Sequence, residues 1–419
     1  MLDARQPTVA ESMTPDRLVV QDDWSDLRHI RDLPNIDLDR LYAYRKRRLQ
    51  EQMRLAGVDV HVMVNPTSLR YAVDYATYSL YQSRIPTTYL VATLGGPTII
   101  YGGYADSPMI DRAEPAHHIA FFDAGDTMTD NARLFAQDLK RVLAEIGSDN
   151  RRVSLEYVNP SVTEACLQQG LEPIDGVAIS EQARLIKSPD EIECIRWAIA
   201  VAEHGIAKMK EALKPGVTEL QLWGLLNYTN LANHGEWHDG RMLASGSRIN
   251  PWYQEASQRV IEDGDLVGFD TDMVGPKGYF CDVSRTFHCG PSKPTARQRE
   301  IYRLAYDEVQ HNMALIRPGI SFREIQEQSF KIPEHCLENA YACIIHGVGM
   351  CDEYPKIIPA HRGANPYDGI LEPGMVLTVE SYMGPKGERD GVKLEEQVLV
   401  TEAGCELLSS YPFEEDLLA

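Results

Sequence analysis

A chain of 419 residues is longer than one ordinary hydrophobic core serves, which points to two domains. With 43% apolar and 25% charged residues and a mean hydropathy of -0.32, the composition is that of a soluble globular protein, and no apolar run approaches the roughly 20 residues of a membrane helix. The formal net charge of -21 argues against a nucleic-acid backbone or an anionic membrane surface as partner. The start, MLDARQPTVAESMTPDRLVV, has no basic stretch followed by an apolar one, so no secretory signal is expected. The eight cysteines lack CxxC spacing and fit free thiols in a reducing cytoplasm.

Residues 1–35 show little periodicity and read as an arm that wraps another surface. Asp37 to Gly57 has helical spacing, with Leu38, Leu41, Tyr42, Leu49 and Met53 on its apolar side. The runs VDVHVMV, TTYLVATL and PTIIYGGY read as strands, a helix follows over Asn131 to Ile146, and RRVSLEY is another strand. These make a small α/β domain over residues 1–180. Ser188-Pro189-Asp190-Glu191 opens a helix running to about Leu213, with Ser at the cap and Pro at the first helical position. Over 181–419, helices near 217–234, 294–316 and 321–330 alternate with strand pairs near 265–289 and 374–401. That is α+β order rather than repeating βαβ.

The chemistry concentrates in the second domain. GDLVGFDTDMVGPKGYFCDVSRTF reads as a hairpin whose first strand carries Asp270 and Asp272 two residues apart, so both leave one face; Asp282 follows on the second strand. Three carboxylates converging in an apolar setting repel one another unless cations compensate. Two exposed aspartates and a turn would explain the same letters. Downstream, IIHGVGM ends an apolar run on His346, GMVLTVE ends one on Glu380, and GVKLEEQVLVT holds Glu395. A buried glutamate needs a partner. Together the residues form a hard, oxygen-rich donor set with one imidazole, suited to pairs of Mn, Fe, Co or Zn and unlike a thiolate zinc site.

The order Asp, Asp, His, Glu, Glu in GDLVGFD, CDVSRTF, HGVGM, MVLTVE and VKLEEQVLVT resembles the metal-dependent methionine aminopeptidase, prolidase and creatinase family. That resemblance covers the whole chain. It implies a creatinase-like N-terminal domain, carrying VNPTSLRYAVDY, followed by a pita-bread catalytic domain. It places the five family ligands on Asp270, Asp282, His346, Glu380 and Glu395, with Glu395 preferred to Glu396 for its spacing to Thr401. Asp272 adds a possible sixth. Xaa-Pro-cleaving members carry two further histidines. The matching positions here are Trp252 in ASGSRINPWY and Glu353, seven residues after His346.

Those departures, with DTDM, PWY and HGVGMCDEYP, resemble the dimethylsulfoniopropionate lyases built on this fold, which release acrylate and dimethyl sulfide. The resemblance implies two divalent metal ions, iron in the best-described members, with Asp352 as the base and Tyr341 against the substrate. It also implies a homodimer, since two-domain members commonly pair. Elimination needs a base for a weakly acidic proton and stabilisation of the charge that develops beside the substrate carboxylate. A sulfonium has no hydrogen-bond donor, and aromatic faces such as Trp252, Tyr341 and Tyr253 are its natural receptor. Packing would equally explain Trp252 and Tyr341, and a turn-capping role Asp352. His238 lines the pocket or is a satisfied loop histidine. YATYSLYQSR either reaches the partner's pocket or packs. The rival functions are an Xaa-Pro aminopeptidase or dipeptidase, a binding protein that has lost its chemistry, and a creatinase-like hydrolase.

Overall fold

The structure, a computed structural model, describes residues 34–120 and 125–419. The arm expected over 1–35 lies outside these, apart from its last two residues. Two compact units emerge, 36–190 and 191–419.

In the first unit Asp37 caps the helix Leu38–Ala56 by accepting from the Arg40 N–H, and Gly57 ends it in the left-handed region. Six strands form one mixed sheet of order β4-β3-β2-β1-β5-β6: β1 (Val60–Met63), β2 (Tyr89–Thr93), β3 (Ile99–Tyr101), β4 (Arg112–Glu114), β5 (Arg152–Leu155) and β6 (Glu172–Asp175). β1, β2 and β3 are buried at every position, as in sheets covered on both faces. Phe135, Ala136, Leu139 and Val142 of the helix Met128–Glu145 join Val60, Val62 and Val91 in the core. Two short helices, Pro66–Val73 and Pro160–Gln168, begin alike: an asparagine caps the end and proline takes the first position.

The second unit bears out the expected α+β order. Its helices Glu219–Ala232, Ala296–Leu315 and Phe322–Gln328 each open with a capping box, on Thr218, Thr295 and Ser321. Three antiparallel sheets accompany them. β7 (Trp237–His238) pairs with β10 (Met273–Val274), which pairs with β11 (Phe280–Cys281). β8 (Leu243–Ser245) pairs with β9 (Leu266–Asp270), which pairs with β12 (Ser284–His288). The third sheet runs β14-β13-β15-β16-β17, from β13 (Ile345–Val348), β14 (Asp352–Ile357), β15 (Val376–Met383), β16 (Val392–Thr401) and β17 (Gly404–Leu407). The Thr286 hydroxyl of β12 joins the last two sheets, donating to the Lys393 carbonyl at 2.8 Å and accepting from its N–H at 3.0 Å. Among the described residues no helix is long and apolar enough to cross a membrane.

The helix Ala296–Leu315 buries Glu308, whose carboxylate accepts from the Ser381 hydroxyl at 2.6 Å. Burial pushes this carboxyl up to about 8 from 4.5. A folded-state value above the unfolded one gives stability that is full below pH 4.5 and lost as pH rises through about 8. The slope is about 1.4 kcal/mol per pH unit inside that window. Glu308→Gln is therefore expected to flatten the fall of thermal midpoint across the window, a comparison that scanning calorimetry in matched buffers makes directly.

Candidate metal centre

The hairpin expected over 265–289 is present but cut in two. β9 pairs with β12, setting Asp270 opposite Ser284, while the tip strands β10 and β11 belong to a different sheet. The cuts fall at 271–272 and at 282–283. Thr271 closes them. Its hydroxyl donates to the Cys281 carbonyl at 2.9 Å and accepts from the Val283 N–H at 3.0 Å, replacing ladder bonds that the interruption removes. Asp272 then takes φ 36, outside any strand. Strand alternation is thus not what brings Asp270 and Asp272 together, contrary to the spacing argument; a left-handed turn does. Donor oxygens of Asp270, Asp272 and Asp282 lie within 4.8 Å of one another.

The third sheet supplies the rest. Its register sets Glu380 directly opposite Glu395, two like charges on adjacent strands in a buried position. His346 stands opposite Thr378 at a bulge between His346 and Gly347. Gly347 is required there because a Cβ would strike the Tyr354 carbonyl. The ring presents Nδ1–H to the Gly347 carbonyl at 2.9 Å, which leaves Nε2 facing Glu380 Oε1 at 3.3 Å and Asp282 Oδ2 at 3.5 Å. Donor atoms of Asp282, His346, Glu380 and Glu395 form a second group within 4.8 Å, so Asp282 belongs to both. Glu395 is held by hydroxyls of Ser284, at 2.7 Å, and Thr378. Glu396 points the other way, to Arg285 at 2.9 Å.

The electrostatics are those of an acid cluster short of cations. Burial, then repulsion from Glu395 and Asp270, raises the Asp282 carboxyl well above its ordinary range. Burial, then Asp270 and Glu380, does the same to Glu395. Burial alone would raise Asp270, but Lys393 holds it below the usual value. Burial would lower His346, yet Glu380 and Asp352 lift it to about 9. Among the described residues, the buried Asp270 Oδ1 and Asp282 Oδ1 have no hydrogen-bond partner. Orphaned carboxylate oxygens of this kind cost stability unless something cationic meets them. The donor set therefore fits hard or borderline divalent metals.

Lys393, which no metal-site reasoning singles out, reaches the same place. Its Nζ lies 2.6 Å from Glu380, 2.9 Å from Asp270, 3.1 Å from Glu395 and 2.7 Å from the Ser284 hydroxyl. The readable signal was its position two residues before Glu395, hence on the same face of β16. Cys343 was also missed, and its sulfur groups with donors of His346 and Glu380.

Around the cluster, Asp352 Oδ1 stands 3.9 Å from His346 Nδ1 with 67% of its side chain exposed. The crowding of protein around it and the acids Glu380 and Asp270 raise its carboxyl, while His346 opposes the rise. Solvent access keeps that shift modest. Lys393 Nζ stands 4.7 Å from the centroid of the Tyr341 ring, which stacks with Tyr253 at 5.4 Å. Trp252 is 4% exposed and packs near Tyr382, whereas Tyr253, at φ 72, is 57% exposed. The reversal of backbone direction at Tyr253 turns the tyrosine outward and the tryptophan inward. His238 lies on β7 rather than in a loop, its Nδ1 bonded to the Thr271 carbonyl at 2.8 Å. Burial lowers it to about 4, so it is neutral. Glu353 is buried and accepts from the Met350 N–H at 3.1 Å, bracing the turn before β14.

A metal-ready acid cluster spread over antiparallel sheets in an α+β unit is the design of a metallopeptidase-type catalytic domain. The profile of metallopeptidase family M24 matches residues 193–402, a span containing all six candidate ligands, and the chain belongs to that family. More particularly, it is 34% identical over 395 residues to dimethylsulfoniopropionate lyase DddP of Roseovarius nubinhibens, covering 91% of this chain and 88% of that one. It is also 34% identical over 400 residues to the DddP of Roseobacter denitrificans, with coverages of 92% and 89%. Among solved structures, an Xaa-Pro dipeptidase from Bacillus anthracis superposes with a TM-score of 0.69 over 88% of this chain and 98% of that one, at 23% identity.

Proposed function

We infer that this enzyme cleaves dimethylsulfoniopropionate to acrylate and dimethyl sulfide, using two divalent metal ions, iron in the native protein, held by Asp270, Asp272, Asp282, His346, Glu380 and Glu395. The observation that carries the mechanism is one juxtaposition. An exposed carboxylate, Asp352, stands beside the buried acid and histidine cluster, and the Tyr253–Tyr341 stack borders the same cluster through Lys393. The lyase relatives match nearly the full chain.

Metal ions bound there supply Lewis acidity to the substrate carboxylate. Asp352 takes the proton from the carbon next to that carboxylate. The freed electron pair becomes the new carbon–carbon double bond, and the C–S bonding pair leaves on sulfur as neutral dimethyl sulfide. Its exposure lets Asp352 return the proton to water. The phenol rings of Tyr253 and Tyr341 receive the sulfonium, with Trp252 supporting from the interior. Burial, then the charges of Glu380 and Asp270, raises the Tyr341 phenol well above its ordinary value, so it stays neutral.

The enzyme works as a homodimer in the cytoplasm. Exposed Tyr78, Leu80 and Tyr104 on the first unit support association, and the eight free cysteines support a reducing compartment. Light scattering on purified protein reads the dimer.

Purified protein given dimethylsulfoniopropionate is expected to release dimethyl sulfide into the headspace and acrylate in equal amount. Turnover of an Xaa-Pro dipeptide without sulfide release would instead establish the peptidase reading.

A further inference from the structure

Five carboxylates, Asp270, Asp272, Asp282, Glu380 and Glu395, converge on the centre. Two divalent ions bring four positive charges, one too few. Lys393 brings the fifth, from a side chain that is wholly buried and bonded to three of those carboxylates and to the Ser284 hydroxyl. An ammonium has three N–H donors, and here four oxygens compete for them, so this is no casual surface pair. The Glu380–Glu395 cross-strand repulsion falls where Nζ sits between the two.

We propose that Lys393 is a resident third cation of the centre, a positioning residue that holds Asp270, Glu380 and Glu395 in place and lets the chain fold with its centre assembled before metal arrives. The inference rests on the metal-centre reading above. It makes the lysine and the metals partial substitutes: each relieves the same repulsion, so the protein lacking one depends more on the other. A lysine that merely packs would stabilise metal-free and loaded protein equally.

The test compares thermal midpoints of wild type, Lys393→Gln and Lys393→Arg, each stripped by chelator and each reloaded with Mn²⁺, with bound Mn²⁺ counted by paramagnetic resonance. Lys393→Gln is expected to lower the metal-free midpoint, and Mn²⁺ should raise it by roughly 5 °C or more beyond the rise in wild type. Lys393→Arg should restore the wild-type pattern. Lys393→Gln that accumulates only when expressed with Mn²⁺ supports the proposal equally. An equal loss in stripped and loaded protein overturns it, as does insolubility with and without Mn²⁺. Wild type that binds neither Mn²⁺ nor Fe²⁺ overturns the metal centre itself, and this inference with it.

Discussion

Asp352→Asn is expected to reduce dimethyl sulfide release by about 10²- to 10⁴-fold, the range a general base contributes, while bound metal stays near the wild-type level. The reasoning is positional. Asp352 lies next to His346 but outside both donor groups, and most of its side chain faces solvent. Its removal should therefore leave the ligands where they are. Headspace chromatography and elemental analysis of the same preparation decide the matter. Metal and activity lost together would make Asp352 a ligand or a structural acid and cancel its role as base.

Asp282→Asn should cost the enzyme both metal and rate while sparing the fold. Asp282 is shared by both donor groups, so its loss is expected to empty at least one metal position and lower the rate on the order of 10³-fold or more, the several kcal/mol that Lewis-acid stabilisation supplies. The metal-free protein should nevertheless melt no lower than wild type. Asp282 is buried among Glu395 and Asp270, its Oδ1 has no partner among the described residues, and removing its charge relieves repulsion. Metal content and the stripped-protein midpoint, measured side by side, check the two halves. A lower stripped midpoint would mean that the attraction of Asp282 to His346, 3.5 Å away, outweighs the repulsion from its acid neighbours.

The sequence is most readable where the signal is long or chemically costly. The helix from Leu38 shows both its cap and its glycine stop, and acids in apolar runs mark Asp270, Glu380 and Glu395, because a buried carboxylate needs a partner. A short strand such as β7, two residues long, carries too little periodicity to be seen. Lys393 is easy to pass over for a different reason: a lysine in a strand reads as solvent-facing, and its spacing to Glu395 is the one signal against that. The choice between Trp252 and Tyr253 is invisible in the letters PWY, because a positive φ at Tyr253 decides which ring turns outward. Asp272 is found by spacing, yet it reaches the cluster by a turn that spacing does not encode.

The stitched hairpin separates the part that grips charge from the part that packs. In an unbroken hairpin every added or deleted residue at the tip would shift the strands below it and drag the aspartates out of place. Here the tip over 273–281 is cut off from the strands below at a joint that Thr271 closes and packs instead against β7, while Asp270 is anchored beneath it to β12. The place of Asp270 is therefore set by β12 and not by how the tip pairs.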